Sequence, residues 1–347
     1  MPKLLHTADI HLDSPLQAGL PESVAATVRE GLFETLARLI ETANDERADA
    51  VLIAGDLFDS PTPSRSVAER AFELLRRSNA PVFISPGNHD YLLPRSPYLM
   101  LPLPANVHVF RSEQIEAVDL GDFVVYGAGF RSSTVSRPML DGFHADIDKP
   151  SVMVMHGETA TASAQYHPIS TESIAASGLD YLALGHIHNR SEPQTAGKTV
   201  YAYSGTPANK SFRGTPGRGA YIVELGKPSV LRFIPTDARR FVTIESDTPS
   251  IPDGYQRDLV RLIVTGEREH LDTDALEREL APRAFYVKVV DHTRLPMKVW
   301  QRADEDTLAG AFLGALQSER ERGEDDELVE LAARFGLAAL DREEAPL

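Results

Sequence analysis

Cysteine is absent from the 347 residues, which excludes disulfides, thiolate metal sites and thiol nucleophiles. A surplus of basic charge is missing as well. Lys and Arg number 35 against 51 Asp and Glu, for a formal net charge of −16. That balance argues against a diffuse basic surface coating nucleic acid, and leaves room for a local basic groove. Bound divalent ions would offset several of the carboxylates. No apolar run reaches 18 residues, and Met1-Pro2-Lys3-Leu4-Leu5-His6 enters a strand without a basic, signal-like leader. The expectation is a cytoplasmic protein with no membrane partner. Repeats and low-complexity segments are missing too.

What remains is a globular composition, 42% hydrophobic and 25% charged, in a chain longer than one core usually serves. Apolar runs at residues 3–8, 49–54 and 81–85 read as strands, and the patterns over 23–46 and 64–78 as helices. That alternation is the mark of a layered α/β domain. Residues 91–105 form a proline-rich loop. The runs 107–110, 115–120 and 123–127 look like short antiparallel strands, and 151–155, 179–184, 200–204 and 220–225 like further strands. A polar loop covers 158–169 and a short helix follows near 171–176. Pro249, Ile251, Pro252 and Gly254 interrupt the pattern, so a boundary is placed between 230 and 256. The expected division is a catalytic domain at 1–235, a small α/β cap at 256–300 with Trp300 in its core, and a helical tail at 301–347. That tail carries 13 acidic and 5 basic residues.

Five of the apolar runs end in residues that bind metals: Asp9 and His11, Asp56, Asn88 and His89, His156, and His186 with His188. Each alone is unremarkable, since Asp-x-His or His-Gly is an ordinary strand exit. Ligands gather beyond the carboxyl ends of strands in open α/β sheets, so five such tips can converge on one site. Carboxylate, amide and imidazole without sulfur suit manganese, iron or zinc. Two cations a few ångströms apart need a shared ligand, and Asp56 is the candidate bridge. Such a pair can activate water and clamp an in-line phosphoryl displacement.

The order Asp-x-His, Gly-Asp-x-x-Asp, Gly-Asn-His-Asp, His-Gly, Gly-His-x-His over residues 4–188 resembles the calcineurin-like metallophosphoesterase superfamily. The opening Leu5-His6-Thr7-Ala8-Asp9-Ile10-His11 and the stretch Tyr203-Ser204-Gly205-Thr206-Pro207 are similar to the SbcD and YhaO group of DNA-repair exonucleases. The resemblance implies a two-layer αββα sandwich with a small C-terminal α/β cap. It implies two divalent ions, Mn2+ first and Fe2+ or Zn2+ as substitutes. Asp9, His11, Asp56 and His188 would hold one, and Asp56, Asn88, His156 and His186 the other. His89 would protonate the leaving oxygen, with Asp90 orienting it. Some nuclease members carry a second active-site His where this chain has Asp59, read here as a helix N-terminal or supporting residue. The resemblance further implies DNA as partner, a coiled-coil ATPase of the SbcC or YhaN kind docked by the C-terminal helices, and a homodimer.

Between residues 187 and 218 stand five basic residues and one acid. Arg190, Lys210, Arg213 and Arg218 are therefore candidates for contacts to a nucleic-acid backbone. The reading is a metal-dependent DNA nuclease, an exonuclease with single-strand endonuclease action as an extension, serving DNA repair. Two rivals stand beside it: a cyclic-nucleotide or other small-molecule phosphodiesterase or phosphatase on the same site, and a non-catalytic DNA- or ATPase-binding subunit.

Overall fold

The first strand, β1 (Lys3–Thr7), shows why the chain layers as it does. Leu5 packs against helices on one face while Leu4 packs against a second sheet on the other. Successive strand side chains point to opposite faces, so a strand covered on both sides must be apolar throughout. The computed structural model describes every residue except 17–18, 146–147, 160–163, 214–216, 237–238 and 342–347, so part of the polar loop and the end of the helical tail lie outside the described residues.

Two compact units form, Met1–Arg239 and Arg240–Leu347. In the first, β1 is followed by α1 (Glu22–Asp45), β2 (Ala50–Ile53), α2 (Arg65–Arg76), β3 (Val82–Ile84), α3 (Pro97–Met100) and β4 (Val107–Val109). Then come β5 (Glu116–Asp119), β6 (Val124–Gly127), β7 (Ser151–His156), α4 (Thr171–Ser177), β8 (Tyr181–Gly185), β9 (Gln194–Ala196), β10 (Thr199–Tyr203), β11 (Gly219–Glu224) and β12 (Val230–Pro235). One six-stranded sheet has the order β12-β11-β1-β2-β3-β4 and the other β5-β6-β7-β8-β10-β9. Leu4, Leu52 and Phe83 meet Val125, Val152, Val154 and Tyr181 between the sheets. Leu32, Leu36, Phe72 and Leu75 of α1 and α2 cover the first sheet, and Ile174 of α4 lies over the second. This is the two-layer αββα sandwich that the sequence resemblance implies.

Helix starts follow local chemistry. Ser64 caps α2 by accepting from the Val67 amide (3.3 Å), and Ser170 caps α4 by accepting from Ser173 (3.0 Å). Three details differ from expectation. Residues 107–109 pair parallel to β3, not antiparallel, because α3 intervenes and returns the chain in the same direction; only β5 and β6 of that region form an antiparallel pair. The proline-rich loop contains α3, which Pro97 starts. Residues 230–235 form an edge strand whose half-exposed side chains disguise it in the sequence.

The second unit begins with β13 (Phe241–Ser246), inside the interrupted stretch, followed by β14 (Leu259–Val264), α5 (Thr273–Leu280) and β15 (Tyr286–Asp291). The three strands are parallel in the order β13-β14-β15. Leu276 and Leu280 of α5 pack on Val260, Leu262, Val287 and Val289. Next come α6 (Met297–Trp300), α7 (Leu308–Glu321) and α8 (Asp326–Asp341). They enclose Trp300 with Leu313, Val329, Ala333 and Leu337. Among the described residues no helix is long and apolar enough to cross a membrane.

Candidate metal centre

Because β1, β2 and β3 run parallel, as do β7 and β8, their carboxyl ends emerge along matching edges of the two sheets. Asp9 and His11 follow β1, Asp56 follows β2, Asn88 and His89 follow β3, His156 closes β7, and His186 and His188 follow β8. Four of these residues hold left-handed backbone: Asp9 (φ 54°), His11 (52°), Asp56 (52°) and His186 (101°). Non-glycine residues adopt that region at a cost, and strain of this kind collects at functional sites. Gly87 marks a close approach. A Cβ there would strike Asp56 Oδ1 and the His156 ring, so only glycine lets the third strand's turn lie against the other two.

Donor atoms of Asp9, His11 and His188 lie within 4.8 Å of one another, as do those of Asp9, Asp56 and His156 and those of His11, Asp56 and His89. His156 Nδ1–H donates to the Ala54 carbonyl (2.9 Å), which leaves Nε2 a bare lone pair. That lone pair faces Asn88 Oδ1 at 2.8 Å and Asp56 Oδ2 at 3.5 Å. His186 Nδ1 is 3.0 Å from the same Asn88 oxygen. Likewise His11 Nδ1–H donates to Asp59 Oδ1 (2.8 Å), so that His11 Nε2 faces His188 Nε2 at 3.1 Å and Asp56 Oδ2 at 3.8 Å. His156 Nε2 and Asn88 Oδ1 are two acceptors aimed at each other, an arrangement that is costly in a buried pocket unless a cation sits between them. The donor set fits divalent metal. Asp56 stands between the two groups, as a shared ligand must.

Protonation follows burial. Burial lowers His156 and His186 to about 4, His188 to about 3, and His11 well below its ordinary value, so these rings are neutral near pH 7. Burial raises Asp56 to about 6 and Asp9 well above the carboxylate range, the latter also through repulsion from Asp56. Lys210 pulls both the other way, as does His89 for Asp56, and a cation bound among these carboxylates would further favour their ionised forms.

His89 is the partly open member, with 42% of its side chain exposed. Its Nδ1–H donates to the Asp59 carbonyl (3.2 Å), and its amide donates to Asp56 Oδ1 (2.9 Å). Asp90, expected behind His89, does something else. Its buried carboxylate accepts from the amides of Gly87 (2.7 Å), Leu57 (2.9 Å) and Asp56 (3.2 Å), and from the Tyr98 hydroxyl (2.6 Å). The reason is reach: a carboxylate one residue after His89 turns inward, where unpaired amides of two loops collect. Asp59, well before the Ser64 cap of α2, is the group that steadies the histidines.

Of the basic candidates, Lys210 stands nearest the carboxylates. Burial lowers it to about 8 against the opposing pull of Asp9, Asp59 and Asp56. Arg218 bonds the His188 carbonyl and Asn209 Oδ1. Arg190 is engaged by Glu192 (2.8 Å) and lies 4.3 Å over the Phe233 ring. Arg213 is exposed, beside residues outside the described set. No local pattern in the sequence marks Tyr98 or Tyr166, and His167 reads there as a structural or surface histidine. Tyr166 lies against the His186 ring, and His167 donates from Nδ1 to the His156 carbonyl (2.9 Å).

Comparison with known proteins agrees with this geometry. Residues 2–190 match the family model described as calcineurin-like phosphoesterase. The metallophosphoesterase YhaO of Bacillus subtilis (strain 168) is 30% identical over 234 residues, 64% of this chain and 57% of that protein. The DNA double-strand break repair protein Mre11 of Aeropyrum pernix is 31% identical over 289 residues, 76% of this chain and 68% of that one. A subunit of the nuclease SbcCD of Bacillus subtilis is 27% identical over 255 residues, 60% and 62% of the two chains.

Proposed function

Because the chain belongs to the calcineurin-like phosphoesterase family, we propose that it is a metal-dependent nuclease hydrolysing phosphodiester bonds in DNA, in the service of DNA repair. The observation that carries the hydrolytic part is the pair of acceptors, His156 Nε2 and Asn88 Oδ1, facing each other at 2.8 Å beside Asp56. What supports DNA as substrate is the names of the relatives, a break-repair protein and a nuclease component. Manganese is the expected ion, with iron or zinc as substitutes. Asp9, His11, Asp56 and His188 would hold one cation, and Asp56, Asn88, His156 and His186 the second. The SbcCD relative is a subunit of a nuclease, which supports a partner subunit; that this partner is a coiled-coil ATPase, and that the chain forms a homodimer, are carried by the sequence resemblance and are part of the proposal.

Bound divalent cations would polarise the phosphoryl oxygens and render a water acidic. The chain's own residues do the rest. A water oxygen bonds to phosphorus as the bond from phosphorus to the departing sugar oxygen breaks, and that oxygen takes a proton. His89, partly open and held through Nδ1–H on the Asp59 carbonyl, would give it. Lys210, close to the carboxylates, and Arg218, bonded to the His188 carbonyl, would hold the phosphate backbone by charge.

Degradation of 3′-labelled and 5′-labelled duplex and single-stranded DNA with manganese tests the reading, with Asp56→Ala and His89→Ala beside the wild type. Release of label by the wild type and neither variant is the expected result. Hydrolysis of a generic phosphodiester or monoester with DNA left intact would move the substrate to a small molecule. A protein that binds no metal would favour a non-catalytic role.

A further inference from the structure

The candidate histidines are not all held in the same way. His156 is locked by the Ala54 carbonyl and His11 by Asp59, each through the ring nitrogen that faces away from the centre. Ligating imidazoles almost always carry such a bond, which fixes tautomer and ring plane. His186 carries none. Its Nδ1 faces Asn88 Oδ1, and among the described residues its Nε2 has no hydrogen-bond partner. It is only partly buried, and its backbone sits at φ 101°.

In place of the bond there is a ring. Tyr166 lies 4.8 Å from His186 between centroids, tilted by 35°, and its two neighbours are anchored. Val135 donates to the Gln165 carbonyl, and the His167 amide donates to the Val135 carbonyl. Buried His167 bonds the His156 carbonyl through Nδ1. The segment 165–167 is therefore fixed on both sides of Tyr166, which makes the phenol a rigid stop for the imidazole.

We infer that Tyr166 is a positioning residue that sets the His186 ring toward Asn88 and thereby sets the affinity of the second cation position. The inference rests on the two-cation reading above. The hydroxyl is dispensable to it and the ring is not.

The test uses the full chain stripped of metal and titrated with Mn2+ by calorimetry. Electron paramagnetic resonance reports coupling between neighbouring ions. Wild type and Tyr166→Phe are expected to bind two equivalents with a coupled signal. Tyr166→Ala keeps the first equivalent, binds the second about 10- to 100-fold more weakly, and loses the coupled signal at limiting metal. Two equivalents at wild-type affinity in Tyr166→Ala would overturn the inference, as would equal weakening of both, which a general loosening of the fold would produce. A wild type that binds fewer than two would instead overturn the two-cation reading.

Discussion

The Tyr98 hydroxyl donates to Asp90 Oδ2 at 2.6 Å, and both side chains are fully buried. Through the other lone pairs of that carboxylate, the bond ties the loop carrying Asp56 to the loop carrying Asn88. The two loops would otherwise leave amides unpaired in an apolar setting.

Tyr98→Phe should therefore cost about 1–3 kcal/mol of stability, the range for losing a buried hydrogen bond to a charged or strongly polar partner. Asp90→Ala should cost more and weaken metal binding at least about tenfold, because five donors, the amides of Asp56, Leu57, Phe58 and Gly87 and the Tyr98 hydroxyl, lose their acceptor together. Denaturant unfolding and manganese titration of both variants check this. An Asp90→Ala protein with unaltered metal affinity would contradict the tie between the loops.

Metal and pH should be linked in a defined direction. Asp56 rises from 3.8 to about 6 on folding without metal. A raised carboxylate contributes stability that is fully present below 3.8 and lost as pH rises through about 6. Cations reverse that loss by favouring the ionised form. The rise in melting temperature on adding Mn2+ should be larger at pH 7.5 than at pH 5. Equal shifts at both pH values would contradict it.

Asp59 and His89 should separate by what they change. His89→Gln should keep manganese affinity and lower kcat by about 10²- to 10⁴-fold, the usual contribution of a positioned acid. Asp59→Ala removes the acceptor from His11 Nδ1 and should also weaken the metal about 10- to 100-fold. Paired calorimetry and turnover measurements distinguish them. A His89→Gln variant that loses metal would make His89 a ligand instead.

In the second unit, Arg334 of α8 donates to the Thr293 carbonyl (3.0 Å) and hydroxyl (2.9 Å), with only 10% of its side chain exposed. Arg334→Ala should cost about 1–3 kcal/mol. The single tryptophan, Trp300, is buried in this unit, so its fluorescence follows that loss directly. An unchanged fluorescence midpoint would show that α8 does not depend on this bond.

Much of the first unit was legible. Strands covered on both faces are apolar throughout, and α1 and α2 show their apolar stripes plainly. Strands β12 and β13 were not, because half-exposed strands lack that continuous run. The loop segment 165–167 reads as polar connection, and only its contacts reveal Tyr166.

Sequence alone determined which residues could serve, since a strand's apolar run ends where its side chains meet solvent or a site, and each motif sits at such an end. Tertiary structure decided who faces whom. His156 meets Asn88 across 68 positions of chain and His11 meets His188 across 177. Asp90 turned from His89 to the amides of another loop. Such pairings depend on how two sheets pack and where buried polar groups find partners, and no local pattern encodes that.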